Sequence, residues 1–199
     1  MSMRVIDWDD FPGWQPALPL ALTVGVFDGV HLGHRALIRR IREEVGCIPA
    51  VVTFKRNPLE TIRPGDFAGD IFSLDRKLSS LKELGVELTV LIDFSREFGK
   101  MYGRDFIDLL LGCHPVKLIA LGQDFRCGRG SDTGAGEIQS LARARGVESW
   151  VAPPVMDGGR PVSSSRIRMA LAAGRVAEAE RLLGSSLQIE NGHADGVGR

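Results

Sequence analysis

The sequence lacks a surplus of charge of either sign: 25 Lys and Arg stand against 25 Asp and Glu, for a formal net charge of zero. That balance argues against a dedicated nucleic-acid binder, which normally carries a clustered basic excess. It also lacks an apolar run of membrane length. The longest mostly apolar stretch, Pro16 to Phe27, is broken by Pro19 and is too short to span a bilayer. The first ten residues hold Asp7, Asp9 and Asp10 and no apolar core, so no signal peptide is expected there. Cysteine is scarce. Cys47, Cys113 and Cys127 are odd in number and without C-x-x-C spacing, which fits reduced thiols in a cytoplasmic protein better than a disulfide framework or a zinc site. No internal repeat or low-complexity block is present. What remains is a chain of 199 residues, 44% hydrophobic and 25% charged. A chain of that length buries roughly 70% of its extended surface and needs no covalent staple.

Short β-branched runs alternate with longer segments of helical period, the signature of an α/β fold. Strands are expected at Ala21–Phe27, Ala50–Phe54, Leu88–Ile92, Lys117–Leu121 and Ser149–Ala152. Most are continuous apolar runs, as in a mostly parallel sheet covered on both faces. Helical stripes are formed by Leu37, Ile38, Ile41 and Val45, by Leu74, Leu78 and Leu81, and by Phe106, Ile107, Leu110 and Leu111. Further helices are expected at Glu137–Arg145, Ser164–Ala173 and Val176–Leu183. The expected architecture is a Rossmann-like, doubly wound, mostly parallel five-stranded sheet.

The densest motif lies where the first of these strands ends: Gly25, Phe27, Asp28, Gly29, His31, Gly33 and His34, spelling G-x-F-D-G-x-H-x-G-H before a helix. Glycines permit sharp turns and close approach of a ligand, while a nascent helix presents free N–H groups and the positive end of its dipole. Such a place suits an anion. His31 and His34, three residues apart, are candidates to face one phosphate and donate to charge as it develops. A zinc reading has little support, since His114 and His193 are the only other histidines.

Two further segments share this character. Ser163, Ser164 and Ser165 run into a helix with Arg166 and Arg168, more hydroxyls than an N-cap requires and enough donors for a polyphosphate. Gly122 to Gly128, GQDFRCG, follows a strand directly, where α/β sheets bind ligands. The glycine-rich stretch 128–136 matches neither a P-loop nor a dinucleotide fingerprint and is expected to be a mobile loop. Arg35, Arg39 and Arg42 share a helix face and read as a solvated surface.

In order along the chain, Val24 to His34, Thr53 to Pro58, SLDRKLSSLKELGV at 73–86, FSREF at 94–98, GQDFRCG and VSSSRIR resemble the adenylyltransferase module of bacterial FAD synthetases, within the H-x-G-H nucleotidyltransferase superfamily. The resemblance covers about residues 21–184. It implies transfer of AMP from ATP to FMN, giving FAD and pyrophosphate, with Mg²⁺ accompanying ATP and no nucleic acid or membrane partner. It implies catalytic roles for His31, His34 and Arg168. It implies ATP contacts at Gly25, Phe27, Asp28, Gly33, Asp124, Ser164 and Ser165, and flavin contacts at Thr53, Phe54, Asn57 and Pro58.

The chain departs from the family pattern in three places. Where relatives carry T-F-x-P-H-P, this chain reads Thr53, Phe54, Lys55, Arg56, Asn57, Pro58; Cys127 replaces a phenylalanine; Ser165 replaces a threonine. The altered loop leaves open a different phosphorylated acceptor, or a flavin- or nucleotide-binding homologue without turnover. Residues 1–186 are expected to form the nucleotidyltransferase domain. Residues 187–199, few of them apolar, are expected to be a tail or the remnant of a riboflavin kinase module, and the chain is not expected to phosphorylate riboflavin.

Overall fold

The computed structural model describes residues 2–187. In chain order the elements are β1 (Arg4–Asp7), β2 (Leu20–Val24), α1 (Leu32–Arg42), β3 (Ile48–Phe54), α2 (Pro58–Ile62), α3 (Leu74–Glu83), β4 (Leu88–Ile92), α4 (Gly103–Gly112) and β5 (Val116–Gly122). There follow β6 (Arg126–Cys127), β7 (Thr133–Gly134), α5 (Ala135–Ala144), β8 (Glu148–Ala152), β9 (Met156–Asp157), β10 (Arg160–Pro161), α6 (Ser164–Ala172) and α7 (Val176–Leu183).

The central sheet is parallel throughout, in the order β1-β4-β3-β2-β5-β8. It has six strands where the sequence suggests five. The additional strand, β1, lies at the edge, and its RVID sequence is exposed at three of four positions, so it carries no buried apolar run by which to be read. Side-chain alternation divides the core in two. Ala21, Val51, Leu118 and Ala120 face one side and pack with α1, α3, α6 and α7 through Ile38, Ile41, Leu81, Ile167 and Leu182. Leu20, Leu22, Val24, Val52 and Val90 face the other side and pack with α4 and α5 through Phe106, Ile107, Leu110 and Ile138. Burial on both faces is why these strands read as unbroken hydrophobic runs.

Local chemistry fixes the helix ends. Ser73 and Ser163 accept hydrogen bonds from the Arg76 and Arg166 amides, Asn57 caps α2 ahead of Pro58, and Gly184 closes α7 in the left-handed conformation. Val45, assigned above to the stripe of the first helix, lies beyond the end of α1 and is 87% exposed. The stretch 128–136 is a docked hairpin rather than a free loop. Its strand β7 pairs antiparallel with β6 just before it, and Asp132 accepts a hydrogen bond from the Gly103 amide at the start of α4. His114 is buried, with its Nε2 2.6 Å from the Phe11 carbonyl, a structural contact far from the H-x-G-H motif in sequence. Leu187 packs against the core and its amide donates to Glu180. Of the tail expected at 187–199, Leu187 is thus packed, and residues 188–199 lie outside the described residues.

Candidate active site

Because all six strands are parallel, their C-terminal ends share one edge, and the loops leaving β2, β3 and β5 stand side by side there. The loop after β2 is tightly wound. Gly29 has φ of +80°, and two residues with side chains, Phe27 (φ +54°) and Val30 (φ +43°), also adopt the left-handed region. For a β-branched residue such as Val30 that conformation is an outlier, and backbone strain of about 1–3 kcal/mol of this kind persists where the surroundings enforce it, characteristically at functional sites.

This winding stacks three rings. Phe27 lies 4.7 Å from His34 between centroids, and His34 lies 3.7 Å from His31 at an interplanar angle of 15°. Glycine leaves room for them: a Cβ at Gly33 would come within 3.1 Å of the His31 ring, and one at Gly25 within 3.1 Å of the Phe27 ring, each a tight contact. His31 is also the N-cap of α1, its Nδ1 accepting from the His34 amide at 3.4 Å. Burial lowers the His31 pKa to about 4, and burial, then His31, then Lys77 hold His34 well below its ordinary value. Both rings are therefore neutral near pH 7. With Nδ1 accepting, neutral His31 carries its proton on Nε2 and has one N–H to give a ligand. Among the described residues His34 Nδ1 is buried without a hydrogen-bond partner, a condition that costs about 1–3 kcal/mol and calls for a functional explanation.

The loop is tied to α6 by two contacts, and a third holds α6 to the segment before α3. Ser164 Oγ donates to the Asp28 carbonyl at 3.0 Å, Arg168 forms an ion pair with the Asp28 carboxylate, and Arg168 Nε donates to the Gly69 carbonyl at 3.0 Å. The buried Asp28 carboxylate also accepts from the Ile71 and Phe72 amides at 2.8 and 3.4 Å. Burial raises its pKa, against the opposing pull of Arg168 and the Ile71 amide. The result is that the N-termini of α1 and α6, each with free N–H groups and the positive end of a dipole, are fastened next to one another. Ser165 stands exposed in the first turn of α6.

Of the residues expected to bind ATP, Gly25, Phe27, Asp28, Gly33 and Ser164 thus come together around the histidines, with Ser165 in the same helical turn as Ser164. Asp124 lies exposed in the turn after β5, the strand next to β2, and makes no hydrogen bond or ion pair among the described residues. Arg166 does not join the group. Its buried guanidinium meets Asp157 Oδ2 at 2.5 Å and Glu178 at 3.2 Å, so it secures the β9–β10 hairpin and α7 instead of offering donors to a polyphosphate. Cys127 is held as a neutral thiol, pushed up to about 12 by burial and by Asp132 and Glu137.

On the proposed flavin side, Thr53 Oγ1 donates to the Val26 carbonyl at 2.9 Å, joining the loops after β2 and β3. Asn57 is already occupied: Oδ1 caps α2 through the Leu59 amide and Nδ2 donates to Asp70 at 3.0 Å. Pro58 opens α2, and Phe54 packs edge-on against Phe94 at 5.9 Å. A cavity of about 280 Å³ lies beyond α2, lined by Thr61, Ile62, Pro64, Phe94, Arg96 and Gly99. A second, of about 290 Å³, lies at the start of α4 beside Tyr102, Asp105 and Asp132. Neither is lined by His31 or His34.

Lys77 was missed in sequence. It is buried on α3 and donates to the Phe54 carbonyl at 2.7 Å. The signal was its position, three residues after Leu74 and four before Leu81, which puts a charge on an apolar stripe.

Residues 15–166 match the family model described as FAD synthetase. The chain is 36% identical over 184 residues to the bifunctional riboflavin kinase/FMN adenylyltransferase of Escherichia coli K12, covering 89% of this chain and 59% of that protein. It is 30% identical over 173 residues to the enzyme of the same name from Haemophilus influenzae, covering 85% and 56%. The chain thus spans about three-fifths of the length of these relatives. Among solved structures, that of a macrolide-efflux protein from Streptococcus pneumoniae superposes with a TM-score of 0.82 at 28% identity, covering 92% of this chain and 62% of the other. Among the described residues no helix is long and apolar enough to cross a membrane.

Proposed function

The chain belongs to the FAD synthetase family, and from that membership we propose that it transfers AMP from ATP to FMN, releasing pyrophosphate and forming FAD. The observation that carries the reading is the Ser164–Asp28 bond, which fastens two helix N-termini together with a stacked pair of neutral histidines at one of them. The chemistry is in-line attack of an FMN phosphate oxygen on the α-phosphorus of ATP. One P–O bond forms as the bond to the β-phosphate breaks, and no covalent nucleophile is needed. What the reaction does need is donors aimed at charge that builds on the α-phosphate and on departing pyrophosphate. His31 Nε2–H and the α1 amides serve the first. Ser165, the α6 amides and the guanidinium of Arg168 serve the second. Phe27, Gly25 and Asp124 flank the adenosine.

The acceptor side is the loop from Thr53 to Pro58 and the cavity beyond α2, where Ile62, Pro64 and Phe94 offer apolar walls to a flavin ring. Among the described residues no three His, Cys, Asp or Glu side chains gather as a metal cage. The one carboxylate in the nucleotide loop, Asp28, is engaged by Arg168. Mg²⁺ accompanies ATP in this reading, held mainly by the phosphates and water. The three cysteines are free thiols, which supports action in a reducing compartment such as the cytoplasm. The test is an acceptor screen with ATP and CTP. FAD formed from ATP and FMN supports the reading, and turnover confined to another phosphorylated acceptor sinks it.

A further inference from the structure

The segment Gly69 to Phe72 is a junction. Asn57 of the acceptor loop holds Asp70, Asp28 of the nucleotide loop holds the Ile71 and Phe72 amides, and Arg168 of α6 holds the Gly69 carbonyl. This junction runs directly into α3 and its buried lysine. Lys77 has three N–H donors and, among the described residues, one hydrogen bond, to the Phe54 carbonyl where β3 gives way to the acceptor loop. The groups facing its ammonium are Asp70 and Asp28, which stabilise the charge that burial opposes, and His34, whose protonation it discourages. Those facing His34 are His31 from the cap of α1 and Lys77 from α3, with the Phe27 ring stacked on it. Burying a lysine with one carbonyl partner is expensive, and here that one bond joins α3 to the carbonyl at which β3 gives way to the acceptor loop.

We propose that Lys77 is a positioning residue, tethering the acceptor loop to α3 through the Phe54 carbonyl so that acceptor and nucleotide are held in one register. This rests on the adenylyl-transfer reading above. Two variants bracket the tether. Lys77→Met keeps the aliphatic stem and removes the donor; Lys77→Arg keeps a long cationic donor for the Phe54 carbonyl.

The full chain is assayed with magnesium ATP and FMN, and FMN and ATP binding are measured separately by fluorescence quenching and calorimetry. For Lys77→Met, kcat/KM for FMN falls by on the order of tenfold to a hundredfold, more than it falls for ATP, because small misplacements of a reactant cost that much. Lys77→Arg loses less on the FMN side than Lys77→Met. An unchanged kcat/KM for FMN or an equal loss for both substrates overturns the proposal. If Lys77→Met does not fold, Lys77→Gln, with its shorter neutral stem, decides by the same comparison of FMN with ATP. If the wild-type chain forms no FAD, the adenylyl-transfer reading falls by itself, and FMN binding by Lys77→Met and the wild-type chain decides the role of Lys77: a loss supports the tether and equal binding overturns it.

Discussion

Removing Arg168 should damage stability as well as turnover, and the damage should depend on pH. Asp28 is 5% exposed, and Arg168 is the largest influence opposing the burial that raises its pKa. In Arg168→Met the aliphatic bulk remains but the carboxylate is left buried without its cation, which costs about 3–5 kcal/mol when one partner of a buried pair is deleted. For a domain of this size that corresponds to roughly 6–20 °C in Tm. The sign of the pH effect follows from linkage. A carboxyl whose folded pKa is raised above its unfolded value near 3.8 favours folding when protonated, and that contribution is lost as pH rises through the folded pKa. Without Arg168 the folded pKa climbs further, so the variant should lie furthest below wild type at pH 7 and recover towards it as pH falls to 5. Asp28→Asn added to Arg168→Met should restore most of the loss at pH 7 and remove the pH dependence that Asp28 contributes, since position 28 then buries no charge. Urea unfolding at pH 5 and pH 7 of the four proteins in this cycle measures both effects. A loss that is the same at the two pH values, or that the added Asp28→Asn substitution fails to relieve, would refute the claim that the Asp28 charge depends on Arg168.

His31→Ala and His34→Ala should each reduce turnover by on the order of a hundredfold or more with the fold intact by circular dichroism, the scale of losing a preorganised donor; an unchanged rate removes them from the chemistry. Since burial lowers His31 to about 4 and holds His34 well below its ordinary value, histidine NMR should show neither ring gaining a proton between pH 8 and 6, and the rate should have no histidine limb near pH 6.5. The depressed values also mean that stability contributed by the neutral rings is lost as pH falls from about 6.5 towards 4, measurable as a falling urea midpoint. Arg56→Pro combined with Asn57→His should change KM for FMN more than KM for ATP, and equal effects would detach that loop from the acceptor.

The two-sided core was legible because parallel strands buried on both faces leave continuous apolar runs, as in LALTV at 20–24 and LTVLI at 88–92. β1 was not, because an exposed edge strand carries no such pattern. The site was partly legible. Glycines at 25, 29 and 33 with two histidines can be read from spacing, and their wound conformation and stacking agree with it. Spacing could not say which of two arginines in SSRIR meets the nucleotide loop. Arg166 and Arg168 differ only in helical phase, and acids distant in sequence, Asp157, Glu178 and Asp28, decide their separate fates. The same limit hid the junction at 69–72, whose contacts are largely backbone groups meeting side chains far away in the chain.

The central claim is adenylyl transfer to FMN at the joined ends of α1 and α6. The most direct test incubates the purified chain with ATP, Mg²⁺ and FMN and follows FAD by chromatography together with released pyrophosphate. One FAD should form for each pyrophosphate, and His31→Ala should lose both together. FMN left unchanged, while pyrophosphate appears only with a different phosphorylated acceptor or with CTP, would contradict the account.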